Sequence, residues 1–135
     1  MENSKGVEVM INKDVILEIV KSEDWREVRK YLRELKKDLR EGFERLGECL
    51  SCPANVTFCS EVERLVRSYE RGLLATMMLR CFLSDALRIV EDERLRRRLG
   101  EVQEVADDII SFLNEKHELV DKLVDKCRPL WGDEV

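Results

Sequence analysis

Across residues 25–50 the apolar side chains recur at steps of three and four: Trp25, Val28, Leu32, Leu35, Leu39, Phe43, Leu46 and Leu50. That rhythm belongs to a helix of roughly 3.6 residues per turn and is foreign to a strand, whose faces alternate every second residue. Arg, Lys, Glu and Asp fill the gaps and supply a solvated face. The spacing predicts a first long helix from about Glu23 to Glu48. Ser22 is its candidate cap, with Glu23 and Asp24 suited to the positive end of the helix dipole. Gly42 and Gly47 weaken its last turns, and Pro53 forbids continuation.

Two further runs share this pattern. Ser60, with Glu63 three residues on, has the form of a capping box and predicts the start of the second helix. Its seam is Val62, Leu65 or Val66, Tyr69, Leu73, Met77, Cys81, Ala86 and Val90. Residues 73–83, LLATMMLRCFL, are apolar nearly all round, so that stretch needs cover on more than one side. After an acidic break at Glu91, Asp92 and Glu93, the third run reads Leu95, Leu99, Val102, Ala106, Ile109, Leu113, Val120, Leu123 and Cys127. Gly100 costs it about 1 kcal/mol in propensity and invites a kink. Pro129 is its expected end, with Trp131 free to fold back on the molecule's end. Upstream, Asn12 or Asp14 can cap a short helix through DVILEIVK. The fold class is therefore all-α: an up-down-up antiparallel bundle of three long helices with a short extra N-terminal helical segment. A chain of 135 residues fits one domain. That single domain spans 1–135, with residues 1–11 a flexible arm and 129–135 a loose tail.

This topology has a chemical consequence. Cys49, Cys52 and Cys59 lie in the loop CLSCPANVTFCS, and a third helix climbing back toward that loop carries Cys127 to the same end. Three states of these four thiols compete. One or two disulfides would staple the loop and the C-terminus, each adding about 2–4 kcal/mol. Zinc or an iron–sulfur cluster would use all four thiolates, although one CxxC without a second pair is a weak metal signature. Plain reduced thiols are the third state. Disulfides are the primary expectation. Gln103 is the only glutamine, a bias shared with thermophile proteins, whose cytosol tolerates disulfides. Cys59 precedes the expected cap of the second helix, where the dipole would lower its thiol pKa and suit a redox role. Cys81, about 30 Å down the second helix, reads as a small buried core residue.

Catalytic chemistry finds little purchase. His117 is the only histidine and lies about 15 Å along the helix from Cys127, too far for a Cys–His dyad. It reads as a buried or half-buried structural residue. A di-iron site needs Glu-x-x-His twice, and Asn114 stands where its Glu would be. No phosphate-binding glycine loop or nucleophile elbow is present. Arg94, Arg96, Arg97 and Arg98 form the one nucleic-acid candidate. Flanking Glu91, Asp92, Glu93, Glu101 and Glu104 can neutralise it, and the net charge of -5 opposes it. The first ten residues hold no apolar leader core, and no stretch is long enough to span a bilayer, so the expected location is cytoplasmic with no membrane partner.

Surplus apolar surface on the second helix points instead to association. Leu73, Leu74, Met77, Met78, Arg80 and Phe82 form the expected homodimer interface. Arg80 would there find Asp85, Ser84 or a carboxylate across the interface. The functional expectation is a non-enzymatic scaffold or protein-interaction module that needs no cofactor. A metal-binding or thiol redox-sensing protein is the alternative, and a nucleic-acid accessory protein using the arginine run is the second.

Overall fold

The computed structural model describes residues 13–132; the arm expected at 1–11 and residues 133–135 of the tail lie outside them. Every element among the described residues is helical. The order is α1 (Lys13–Ser22), α2 (Trp25–Glu48), α3 (Val56–Ile89), α4 (Glu93–Glu115) and α5 (His117–Trp131). The all-helical class holds, but the helices among the described residues number five. The expected third helix is two, broken at Lys116, whose N–H turns back to Leu113 O at 3.0 Å. No side chain caps α5 there.

Local chemistry sets the other boundaries. Asp24, rather than Ser22, caps α2: its carboxylate accepts from the backbone N–H groups of Arg26 and Glu27 at 3.2 and 3.3 Å. Asn55 caps α3 by accepting from Phe58 N–H at 2.8 Å, so this helix begins four residues ahead of the expected Ser60. Asp92 caps α4. Gly100 sits inside α4 without ending it. Pro129 likewise lies within α5, in its last turn; its missing N–H forfeits the bond to the Asp125 carbonyl and its ring crowds that oxygen, yet the helix runs only two residues further. Residues 129–131 are therefore helical where a loose tail was expected. Gly132, at φ 80°, supplies the left-handed residue that terminates the helix.

Contacts fix the relative directions. Arg45 meets Glu61 at 3.6 Å, Phe43 packs edge-on against Tyr69 and Trp25 stacks on Phe82, so α2 and α3 run oppositely. Arg80 pairs with Asp107 and Gln103 with Ser84, so α3 and α4 also run oppositely. Arg29 with Glu101 and Lys36 with Asp108 show α2 and α4 running together. The core centres on Phe43, Val62, Leu83, Leu99, Ile109, Leu113 and Leu123, all fully buried. A short α1 lies against α3 through Ile16 and Val20, and the Trp25 indole N–H donates to Val20 O at 2.8 Å. Close approach of α2 to α3 needs small residues: a methyl at Gly42 would stand 3.0 Å from a Leu65 methyl, and Gly72 faces Leu35 and Leu39.

Candidate functional site

Two features stand out: the cysteine-bearing end and the outward face of α3. At the first, Cys59 in the opening turn of α3 is disulfide-bonded to Cys127 of α5, with Cα atoms 5.6 Å apart. Both residues are buried, at 1% and 0% exposure. The return of α5 toward the α2–α3 turn, expected from helix direction, thus brings these two residues together. Cys49 and Cys52 are free and half-buried. Cys52 N–H donates to Cys49 O at 2.9 Å, a tight turn that places the two cysteines side by side. The neighbouring Cys52 side chain is the main influence pushing the Cys49 thiol pKa up; burial and the nearby Glu48 and Glu61 carboxylates push the same way.

The four sulfurs therefore sort into two pairs. With Cys59 and Cys127 bonded to each other, the four-thiolate set expected for zinc or an iron–sulfur cluster is not assembled in this structure. Among the described residues no group of three or more His, Cys, Asp or Glu side chains is arranged to hold a metal ion. The reactive-thiol reading of Cys59 also falls, because it is buried and already oxidised, and it lies within α3 rather than ahead of its cap.

On α3 the inward register departs from the apolar seam. The buried positions run Val62, Leu65, Tyr69, Gly72, Thr76, Leu83 and Ala86. Gly72 fits under Leu35 and Leu39, and the Thr76 hydroxyl satisfies itself by donating to Gly72 O at 2.6 Å. The helix thus turns a glycine and a threonine inward and Met77 and Cys81 outward. Cys81 is exposed, which corrects its reading as a core residue. Leu74, Met77 and Met78 are 61%, 48% and 64% exposed. With Cys81 they occupy positions i, i+3, i+4 and i+7, one continuous stripe on the helix. Arg67, Glu70 and Arg71 stand at one end of it and Asp85 and Arg88 at the other.

Of the six residues expected at an interface, Leu74, Met77 and Met78 are open to solvent. Leu73 and Phe82 are half-buried against the core. Arg80 turns sideways to Asp107 on α4, replacing the partners expected at Asp85, Ser84 or across an interface. A shallow groove between α2 and α3 adjoins the stripe, lined by Val28, Tyr31, Leu35, Arg71, Ala75 and Leu79.

The arginine run is divided too. The Arg96 guanidinium donates to Leu87 O and Val90 O, closing the C-terminal end of α3. Arg94 and Arg97 remain exposed, and Arg98 is half-buried. His117 is exposed rather than buried, 3.5 Å from Asp121 one turn on, because it opens α5 at the break instead of continuing a seam. Among the described residues no helix is long and apolar enough to cross a membrane. Compared with known proteins, the chain matches no family model, no curated protein and no solved structure.

Proposed function

We propose that this protein is a non-enzymatic scaffold or interaction module, a helical bundle that pairs with a second copy of itself through the outward face of α3. The observation carrying this reading is the Leu74, Met77, Met78, Cys81 stripe. Isolated exposed apolar residues are ordinary, but a contiguous helical stripe bounded by charge is the form of an association surface. A two-fold pairing of antiparallel α3 helices that sets Leu74 against Met78 of the second copy also brings Arg67 opposite its Asp85. Symmetry repeats both contacts. Arg67 and Asp85 are paired only within α3, to Glu63 and Arg88, on exposed surface where exchange of partners costs little. The buried disulfide and the scarcity of glutamine fit the cytoplasm of a hyperthermophile, where intracellular disulfides persist.

Light scattering after size-exclusion chromatography tests the pairing. The unaltered protein is expected at twice the chain mass at roughly micromolar concentrations and above. Met78→Glu, which buries a charge in the pair, is expected at the single-chain mass with unchanged helicity. Arg67→Glu weakens the pair, and Arg67→Glu with Asp85→Arg restores it. A strict monomer throughout, or a Met78→Glu protein that still pairs, overturns the proposal.

A further inference from the structure

The end of the molecule that holds the buried Cys59–Cys127 bond carries a second sulfur pair with opposite properties. Where α2 stops at Glu48, the chain closes on itself three times in succession. Cys49 N–H bonds to Leu46 O at 3.2 Å, Leu50 N–H to Gly47 O at 3.2 Å, and Cys52 N–H to Cys49 O at 2.9 Å. Pro53 then leads the chain away. A turn closed from residue i to i+3 holds its outer Cα atoms within about 7 Å, and a disulfide spans about 4.4–6.8 Å between Cα atoms. The turn from Cys49 to Cys52 already brings the two backbones within reach of that span, so joining the sulfurs asks for side-chain rotation and not a rebuilt backbone. Both side chains are half-exposed, whereas Cys59 and Cys127 are sealed at 1% and 0%. A small solute reaches the first pair and not the second.

We infer that Cys49 and Cys52 form a reversible dithiol–disulfide site open to small-molecule disulfides of the glutathione class, working independently of the buried Cys59–Cys127 bond. In the forward step one cysteine, as thiolate, attacks a sulfur of the small disulfide and expels one small thiolate, leaving a mixed disulfide. The second cysteine loses its proton to solvent and attacks the protein-side sulfur. The Cys49–Cys52 bond forms and the second small thiolate leaves. The protein gives up two electrons and two protons, and the small disulfide becomes two thiols.

The placement differs from a CxxC motif at a helix N-terminus, where the dipole stabilises the thiolate and makes the pair a strong oxidant. Here the pair follows a helix C-terminus and sits beside Glu48 and Glu61, so the thiolate gains no such support. Closure therefore speeds up with rising pH, by up to about tenfold per unit below the thiol pKa, as the thiolate fraction grows.

The test uses the full chain, purified without reductant and equilibrated in glutathione mixtures from reducing to oxidising. Samples are acid-quenched, alkylated without reduction and digested with trypsin. Residues 46–64 leave as one peptide holding Cys49, Cys52 and Cys59, bonded through Cys59 to the C-terminal peptide. As the mixture becomes oxidising, this linked species is expected to lose both alkyl groups and to become two hydrogens lighter. Cys49→Ser is expected to leave Cys52 trapped as a stable glutathione adduct. Both thiols staying alkylated throughout, or each holding its own glutathione without closure, overturns the inference. So does closure that occurs only after the Cys59–Cys127 link has opened. The oligomer experiment above reads a different surface, so either proposal can fail alone.

Discussion

The Cys59–Cys127 bond closes a segment with a sequence separation of 68, and its contribution can be worked out from that length. A cross-link removes conformations from the unfolded chain in proportion to the logarithm of the loop it closes. The relation gives about 3 kcal/mol for a 15-residue loop, about 4.7 for 100, and about 4.4 for this one. Replacing both cysteines by alanine is therefore expected to cost about 4 kcal/mol. Alanine is the right substitution because both positions are buried, where a serine hydroxyl without a partner would add about 1–3 kcal/mol of its own. Against a total stability of about 5–15 kcal/mol, the variant still folds at low temperature. Urea unfolding followed by far-ultraviolet circular dichroism, in non-reducing buffer, is the assay. The midpoint should fall, and the slope should rise because the released chain exposes more surface when denatured. A loss below about 1 kcal/mol with an unchanged slope would refute the reasoning, since it would mean the bond does not restrict the unfolded ensemble.

Leu83→Ala or Ile109→Ala, at fully buried core positions, should each cost about 2–5 kcal/mol in the same assay. Gly100→Ala should stabilise the protein by about 1 kcal/mol, because the site is inside α4 and a new methyl there meets nothing within 4 Å. Asp24→Ala should cost about 1 kcal/mol by orphaning the α2 N–H groups that it caps. Tyr69 has its phenol pKa raised by burial and, secondarily, by Asp121 and Glu70. The unfolded phenol thus ionises first, and stability should fall as pH rises from the ordinary tyrosine range toward the raised value. Tyr69→Phe should flatten that decline in an alkaline unfolding series, and an unchanged slope would count against it.

Much of the helical content is visible in residue spacing, because burial on one face imposes a three-and-four rhythm that loops do not keep. Leu32, Leu39, Phe43 and Leu46 on α2, and Leu99, Val102, Ala106, Ile109 and Leu113 on α4, are buried as that rhythm requires. The α4–α5 break carried a faint sign: between Leu113 and Val120 the seam skips a turn, and Lys116 and His117 stand where an apolar residue should be. Neither proline nor glycine marks the spot, so only the gap betrays it. Ser60 and Glu63 imitate a cap, while Asn55 performs the same service a turn earlier, so residue pattern alone sets the start of α3 too late. The α3 face is harder to read from sequence. Hydrophobicity ranks Met77 and Cys81 above Gly72 and Thr76, yet helix proximity favours the small residue, and a threonine hydroxyl can satisfy itself on its own backbone. A glycine and a threonine four apart, beside leucines of the neighbouring helix, was the available clue. Which cysteines pair depended on depth along each helix, which spacing alone does not supply.

Linking the first turn of α3 to the last turns of α5 makes α3, α4 and α5 a covalent hoop, with α2 as a handle outside it. Pulled by its two ends, the chain can pay out only the lengths before residue 59 and after residue 127. About 230 Å of extended backbone stays hidden inside the hoop, and stretching force bypasses the core that those three helices share.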